Sequence, residues 1–451
     1  MLLGGKGEDI ALHIGGPVSR AQLRQLVAHE QERMRDAGLA AGGSLAVRVP
    51  PSLGCVVAML AGWRTGAQVA LLDYRLTRFE VDEALTRLAP QLVVEPTEDV
   101  TGRLRGYFDV TTRITPVPGG RPAGTPHALL QLSSGSTGPS KVIGRSVDSL
   151  LTELDRYDRL DGFPGGGERR VVLASIIHVL GLVGGLLHGL AAKSQVYLPR
   201  MQTVDGILKA VAADDGPTVI LGVPSQTAVL SAAQAPPKLP QLRRMIVGGE
   251  LVKEDVRERF TTRYGAELGV MYGMTEAGVI ATDLTGATRP ALAPTHNMPV
   301  RVEDGQILLG LPADPYVGQT DGTRYVDGWL RTKDAGTLDE ATGLLTVHGR
   351  LDSQVSIGGL KVDLSEVEAS ISAVPGVTEA VVVHGTGIEA FVTVREQSAF
   401  DTLADSLAAR LAPYKRPRTL HHLPELPRTA TGKPVRNAEV LRAAVRSAAA
   451  V

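Results

Sequence analysis

Apolar positions in the first 350 residues fall in short β-branched runs that end in Gly, Pro or Ser and alternate with stretches of helical spacing. Gln68–Leu72, Arg170–Ala174, Thr218–Gly222, Met245–Gly249 and Leu268–Tyr272 are such runs. Continuous apolar runs of this length predict strands buried on both faces, and their alternation with helices predicts parallel α/β units. Ligands of such sheets bind beyond the carboxyl ends of the strands, so the loops after these runs are where chemistry is expected. The Pro- and Gly-rich segment 115–126 reads as an exposed connection.

Past Arg350 the pattern changes. Ser365-Glu-Val-Glu368 has the spacing of a capping box, and Leu364, Val367 and Ile371 place an apolar stripe on the helix it opens. Two strand-like runs, Glu379 to Val383 and Glu389 to Val394, flank a turn at Gly385-Thr-Gly387, and a helix carries Leu403, Leu407 and Leu411. A tail of this length suffices for a small domain. The expected fold class is α/β: a large N-terminal domain (1–351) of mostly parallel sheets flanked by helices, then a small α+β domain (352–451).

The 451 residues are 43% hydrophobic and 21% charged, with a formal net charge of -1. That composition fits a soluble enzyme of two or three domains and gives no basic surplus for nucleic acid. No apolar run is long enough to span a membrane, and no apolar stretch behind a basic end marks a secretory signal. The single cysteine, Cys55, lies in an apolar stretch, cannot form an intramolecular disulfide and fits a reducing cytoplasm. There are only ten lysines, so a lysine inside a glycine-rich motif carries weight.

One such motif is Gln131-Leu-Ser-Ser-Gly-Ser-Thr-Gly-Pro-Ser-Lys141. Glycines let backbone N–H groups approach phosphate oxygens, the hydroxyls add donors and Lys141 adds a point charge. Val142 follows the lysine where a Walker-type loop requires Ser or Thr, so this is not an ordinary NTPase loop. Met271-Tyr-Gly-Met-Thr-Glu-Ala-Gly278 places Thr275 and Glu276 after a strand, where a hydroxyl can meet a phosphate and a carboxylate can hold magnesium. Trp329-Leu-Arg-Thr-Lys-Asp334 ends in a carboxylate suited to two ribose hydroxyls, and Gly349-Arg-Leu-Asp352 offers a cation and an acid at the domain boundary. Leu426-Pro-Arg-Thr-Ala-Thr-Gly-Lys433 sets a lysine on a bare loop. Each segment alone reads equally well as a turn, a salt bridge or a solvated loop.

Together and in this order the segments resemble the adenylate-forming superfamily: acyl- and aryl-CoA synthetases, peptide-synthetase adenylation domains and firefly-type luciferases. Tyr74-Arg-Leu-Thr-Arg, Gly248-Gly-Glu250 and Pro413-Tyr-Lys-Arg-Pro extend the likeness to nearly the whole chain. The resemblance implies that Ser133, Ser134, Gly135, Ser136, Thr137, Gly138 and Lys141 hold the β- and γ-phosphates of ATP and that Thr275 holds the α-phosphate. Glu276 would bind Mg2+, Asp334 with Arg350 the ribose, and Gly249, Glu250 and Tyr272 would complete the nucleotide site. Lys433 would contact the substrate carboxylate and α-phosphate during adenylation.

The acid would lie near His178, Val179, Val223, Gly248, Gly249, Tyr272 and Gly273. A lone histidine in an apolar run is more often simply buried, but His178 matches a position where acyl-CoA synthetases commonly carry histidine beside the acyl pocket. Amino-acid-activating domains carry Asp where this chain has Val179, so the acid is expected to lack an α-amino group. The small domain would turn about Asp352 and present Gly358, Gly359 and Lys361 to a pantetheine arm. Coenzyme A is the expected acceptor, a carrier protein the alternative. A nucleotide-binding homologue without turnover is a further alternative. Two residues depart from the family pattern: Lys333 replaces a glycine before the ribose-binding Asp, and Leu364 replaces a proline.

Overall fold

In the computed structural model, residues 1–98, 100, 106–107, 109–133, 141–249, 252–318, 322–351, 353–428 and 434–448 are described. Contacts divide the chain into one unit of Met1–Tyr74, Leu88–Leu132 and Val142–Leu351 and another of Arg75–Arg87, Ser133–Lys141 and Asp352–Val451.

The first unit is built on two large sheets. In the nine-stranded sheet six neighbours run parallel, in the order Glu267–Met274, Leu242–Gly248, Thr218–Gly222, Arg169–Val172, Gln195–Leu198 and Ile10–Ile14. Ile220, Leu221, Ile246 and Val247 are completely buried, as the unbroken apolar runs predict. Short antiparallel strands close both edges. In the second sheet Gln68–Leu71 lies between Ser44–Val47 and Leu129–Ser133, all parallel, and Lys141–Arg145 and Tyr316–Val317 extend it beyond Leu129–Ser133. A third sheet, antiparallel, contains Trp329–Leu338 paired with Leu345–Arg350. Thr115 and Pro116 belong to the edge strand Thr112–Pro116, so the exposed connection starts only after them.

The helix Leu53–Thr65 is apolar nearly all round and buried accordingly. It carries Cys55, whose thiol burial pushes up to about 12, so the sulfur packs and does not react.

In the second unit a two-residue hairpin joins Gln354–Ile357 to Leu360–Asp363, with Ile357 opposite Leu360. Its turn residues, Gly358 (φ 58°) and Gly359 (φ 83°), both take the left-handed backbone that this tight turn demands. Val377–His384 and Ile388–Val394 form an antiparallel pair joined by the parallel strand Thr419–His422. Leu364, Val367, Ile371, Leu403, Leu407 and Leu411 pack into one core against this sheet.

The helix Leu364–Ser372 is capped otherwise than its sequence suggests. Asp363, not Ser365, is the N-cap, its Oδ1 accepting from the Ser365 N–H at 2.7 Å and from Ser353 Oγ at 2.9 Å. Asp363 is fully buried at a strand end, and its carboxylate needs local donors. Glu368 accepts instead from the Val382 N–H and from Arg436. Among the described residues no helix is long and apolar enough to cross a membrane.

A buried polar chain ties the large sheet to the helices beside it. Arg170 donates to His188 Nδ1 at 2.9 Å and to Ser194 Oγ at 2.8 Å, and His188 Nε2 donates to Asp158 Oδ1 at 2.8 Å. Burial and the Arg170 charge push the imidazole down to about 4. A histidine depressed from 6.5 binds fewer protons folded than unfolded, so its stabilisation is complete above pH 6.5 and is lost as pH falls towards 4. Denaturant titrations should show His188→Gln narrowing the stability difference between pH 7 and pH 4.5 relative to the parent; an unchanged difference would contradict the buried neutral imidazole.

Candidate active site

Four adjacent parallel strands of the nine-stranded sheet deliver the predicted pocket residues to one edge. Arg169–Val172 leads to His178 and Val179, Thr218–Gly222 to Val223, and Leu242–Gly248 to Gly249. Glu267–Met274 carries Tyr272 and Gly273 and leads to Thr275 and Glu276, with Gly248 opposite Met271 in register. Thr275 and Glu276 lie half-buried in the turn between Glu267–Met274 and the antiparallel Gly278–Asp283.

His178 ends a turn just before the π-helix Leu180–Leu187, and its carbonyl accepts from the Leu182 N–H at 2.7 Å. Glycine is required at 181, because a Cβ there would run into the carbonyl oxygens of Ala174 and Ser175. Gln131, on the strand that enters the glycine-rich loop, donates to the Ile177 carbonyl at 2.7 Å and so ties this turn to that strand. A Cβ on Gly248 would stand 3.4 Å from Leu180 Cδ2, which brings the start of the π-helix against the Gly248 backbone.

Asp334 is buried on Trp329–Leu338, directly opposite Arg350. Its Oδ1 accepts from Arg350 Nη1 at 3.0 Å and its Oδ2 from the Tyr272 hydroxyl at 2.6 Å. Burial and the Asp334 charge hold that hydroxyl well above its ordinary range, so Tyr272 stays a donor. A carboxylate has about four lone-pair sites, so Asp334 keeps acceptor capacity for two more donors. Lys333 takes a left-handed backbone (φ 60°) and its carbonyl accepts from the Leu351 N–H at 2.8 Å. Lysine adopts that geometry at a cost of roughly 1–2 kcal/mol, within the strand Trp329–Leu338 and not in a turn.

Charges that sequence reasoning missed brace the Thr275–Glu276 turn from behind. Glu153 and Arg145 form a buried pair at 2.7 Å, and the other Glu153 oxygen accepts from the Val279 N–H at 3.2 Å. Arg145 also donates to the Thr275 carbonyl at 3.4 Å, and Arg156 to the Ala277 carbonyl at 3.2 Å. On the other side Tyr316 donates to Glu276 Oε1 at 2.9 Å. Among the described residues no cluster of three or more His, Cys, Asp or Glu could hold a metal. A single half-buried carboxylate fits magnesium, which is commonly held by one or two carboxylates together with substrate phosphates.

Lys141 begins Lys141–Arg145, half-buried, and Ser133 ends Leu129–Ser133. Gly358, Gly359 and Lys361 belong to the hairpin of the second unit. Ser134, Gly135, Ser136, Thr137, Gly138, Glu250, Asp352 and Lys433 lie outside the described residues, as does the side chain of Ser133.

Gly278 is where this bracing is tightest. It has φ 78°, and a Cβ would collide with the Glu153 carboxyl group, whereas Gly265 has φ 63° with open space around it. Gly265→Ala should cost roughly 1–2 kcal/mol of stability for the backbone alone, and Gly278→Ala a further 1–3 kcal/mol for the collision. Equal costs in denaturant unfolding would contradict the close approach of Glu153.

Residues 5–308 match the AMP-binding enzyme family and residues 366–433 its C-terminal domain. The chain is similar to a feruloyl-CoA synthase of Amycolatopsis sp, 28% identical over 93% of each chain. It is also similar to a p-hydroxybenzoic acid–AMP ligase of Mycobacterium tuberculosis, 26% identical over 95% of this chain and 66% of the relative. Among solved structures it matches a malonyl-CoA ligase with methylmalonyl-CoA and AMP bound, at TM-score 0.77 and 25% identity over 94% and 98% of the two chains. The fold also matches o-succinylbenzoate CoA synthetase from Bacillus subtilis, at TM-score 0.81 and 21% identity over 96% and 95%. The chain belongs to the AMP-binding enzyme family.

Proposed function

We propose that this protein is an AMP-forming acid–thiol ligase that activates an aromatic carboxylic acid and transfers the acyl group to coenzyme A. The observation that carries the reading is the Asp334 carboxylate, oriented by Arg350 and Tyr272 and with acceptor capacity to spare, in the same unit as the Thr275–Glu276 turn. Asp334 accepts from the two ribose hydroxyls of ATP, Thr275 donates to the α-phosphate, and Glu276 holds magnesium. Ser133 to Lys141 wraps the terminal phosphates. Magnesium, when bound, supplies positive charge that offsets the repulsion between the nucleotide and the incoming carboxylate.

A carboxylate oxygen of the acid attacks the α-phosphorus and pyrophosphate leaves, giving acyl-AMP. The thiol sulfur then attacks the acyl carbonyl, AMP leaves with the bonding electrons and the thiol proton is lost, giving the thioester. Lys433 neutralises the two approaching anions in the first step. In the second, a small domain (352–451) turns on the large one (1–351) about Asp352 and presents Gly358, Gly359 and Lys361 to the pantetheine arm. The reaction takes place in the cytoplasm.

The aromatic preference rests on the feruloyl and p-hydroxybenzoic acid relatives, and the choice of coenzyme A over a carrier protein on the CoA ligases matched along nearly their whole length. Val179 gives an α-ammonium group no counter-charge, and an unpaired buried charge costs several kcal/mol. Assayed for AMP and thioester formation with coenzyme A, benzoate and cinnamate should exceed phenylglycine and phenylalanine by at least about a hundredfold in kcat/KM. Preference for the amino acids, or ATP cleavage without thioester, would overturn the proposal.

A further inference from the structure

We propose that Tyr316 is the positioning residue for Glu276: by holding one carboxylate oxygen it keeps the other directed to the metal carried by the nucleotide phosphates. The inference rests on the metal-binding role proposed above for Glu276. Nothing in the sequence around Pro315-Tyr316 points to that role; the contact joins residues 40 apart in the chain.

Tyr316 is built for a fixed aim. It is 7% exposed, and its short strand pairs antiparallel with Lys141–Arg145, Tyr316 opposite Ile143 and Val317 opposite Val142. The Gly144 N–H donates to the Pro315 carbonyl at 2.8 Å, and the Tyr316 N–H to Asp314 Oδ1 at 2.9 Å. With its backbone pinned on both sides, the ring delivers Oη to Glu276 Oε1 at 2.9 Å. A phenol O–H donating to a carboxylate oxygen is a charge-assisted hydrogen bond, stronger than a neutral one.

On the other flank Arg145 and Arg156 hold the carbonyls of Thr275 and Ala277, which fixes the turn's backbone but not the Glu276 side chain. Among the described residues Tyr316 orients that side chain. Where the protein contributes a single carboxylate to a metal, the group that orients it governs affinity, and losing such a partner typically costs 10–100-fold.

The test uses the full-length protein and calorimetric binding of α,β-methylene-ATP across a magnesium titration, with no turnover required. Tyr316→Phe removes one oxygen and keeps the ring. It should raise the half-saturating magnesium concentration by about tenfold or more, while metal-free nucleotide binding changes less than about twofold and the melting temperature stays within a few degrees. In a Glu276→Gln background the same substitution should have no further effect on the magnesium dependence. An unchanged magnesium dependence in Tyr316→Phe, or an equal shift in the Glu276→Gln background, would overturn the role of Tyr316 and leave that of Glu276 standing. Magnesium-independent binding by the unsubstituted protein would overturn both.

Discussion

The adjacent parallel strands Arg169–Val172 and Thr218–Gly222 at the heart of the nine-stranded sheet are buried along their whole length, so a polar group there must find partners inside the protein, as Arg170 does, and no ligand can reach it. Their carboxyl ends are the nearest places where side chains can reach a ligand. His178, Val223, Gly249 and the Thr275–Glu276 turn occupy those positions because the strand registers put them there. The site is thus a consequence of the sheet: a register slip in Leu242–Gly248 or Glu267–Met274 would move a whole loop out of place.

The sheet alone does not orient the charged side chains, and here the molecule spends buried charge. Removing one partner of the Arg145–Glu153 pair would strand the other in the core, a loss of roughly 3–5 kcal/mol, whereas apolar residues of like volume could fill the space at no such risk. What the pair does that apolar packing could not is reach backbone groups on both sides of the turn, the Thr275 carbonyl and the Val279 N–H. Asp334 follows the same logic on the third sheet, where a cross-strand arginine and a tyrosine from the large sheet fix a carboxylate that must meet a ligand.

Much of this was legible in the sequence. The parallel strands announce themselves because burial makes them nearly continuously apolar, and Thr275, Glu276 and Arg350 stand out as polar residues placed at strand ends beside glycines, whereas Asp334 lies inside the strand Trp329–Leu338. The three shorter antiparallel strands of the third sheet, two to five residues long, give no comparable signal. The bracing residues are illegible for a different reason. Glu153 meets Val279 across 126 residues, and Arg145 reads as an ordinary polar residue until the fold encloses it. The helix cap at Asp363 is hidden because Ser365 and Glu368 satisfy the spacing rule, while the buried Asp363 has the greater need of donors.

In the adenylation proposed above, an acid and ATP react at this site before any thiol takes part. Exchange of labelled pyrophosphate into ATP, run with magnesium and an accepted acid but no coenzyme A, tests it most directly. Label should enter ATP only when the acid is present, with acyl-AMP as the other product of the reversible step. Exchange that required coenzyme A, or cleavage to ADP and phosphate, would contradict it.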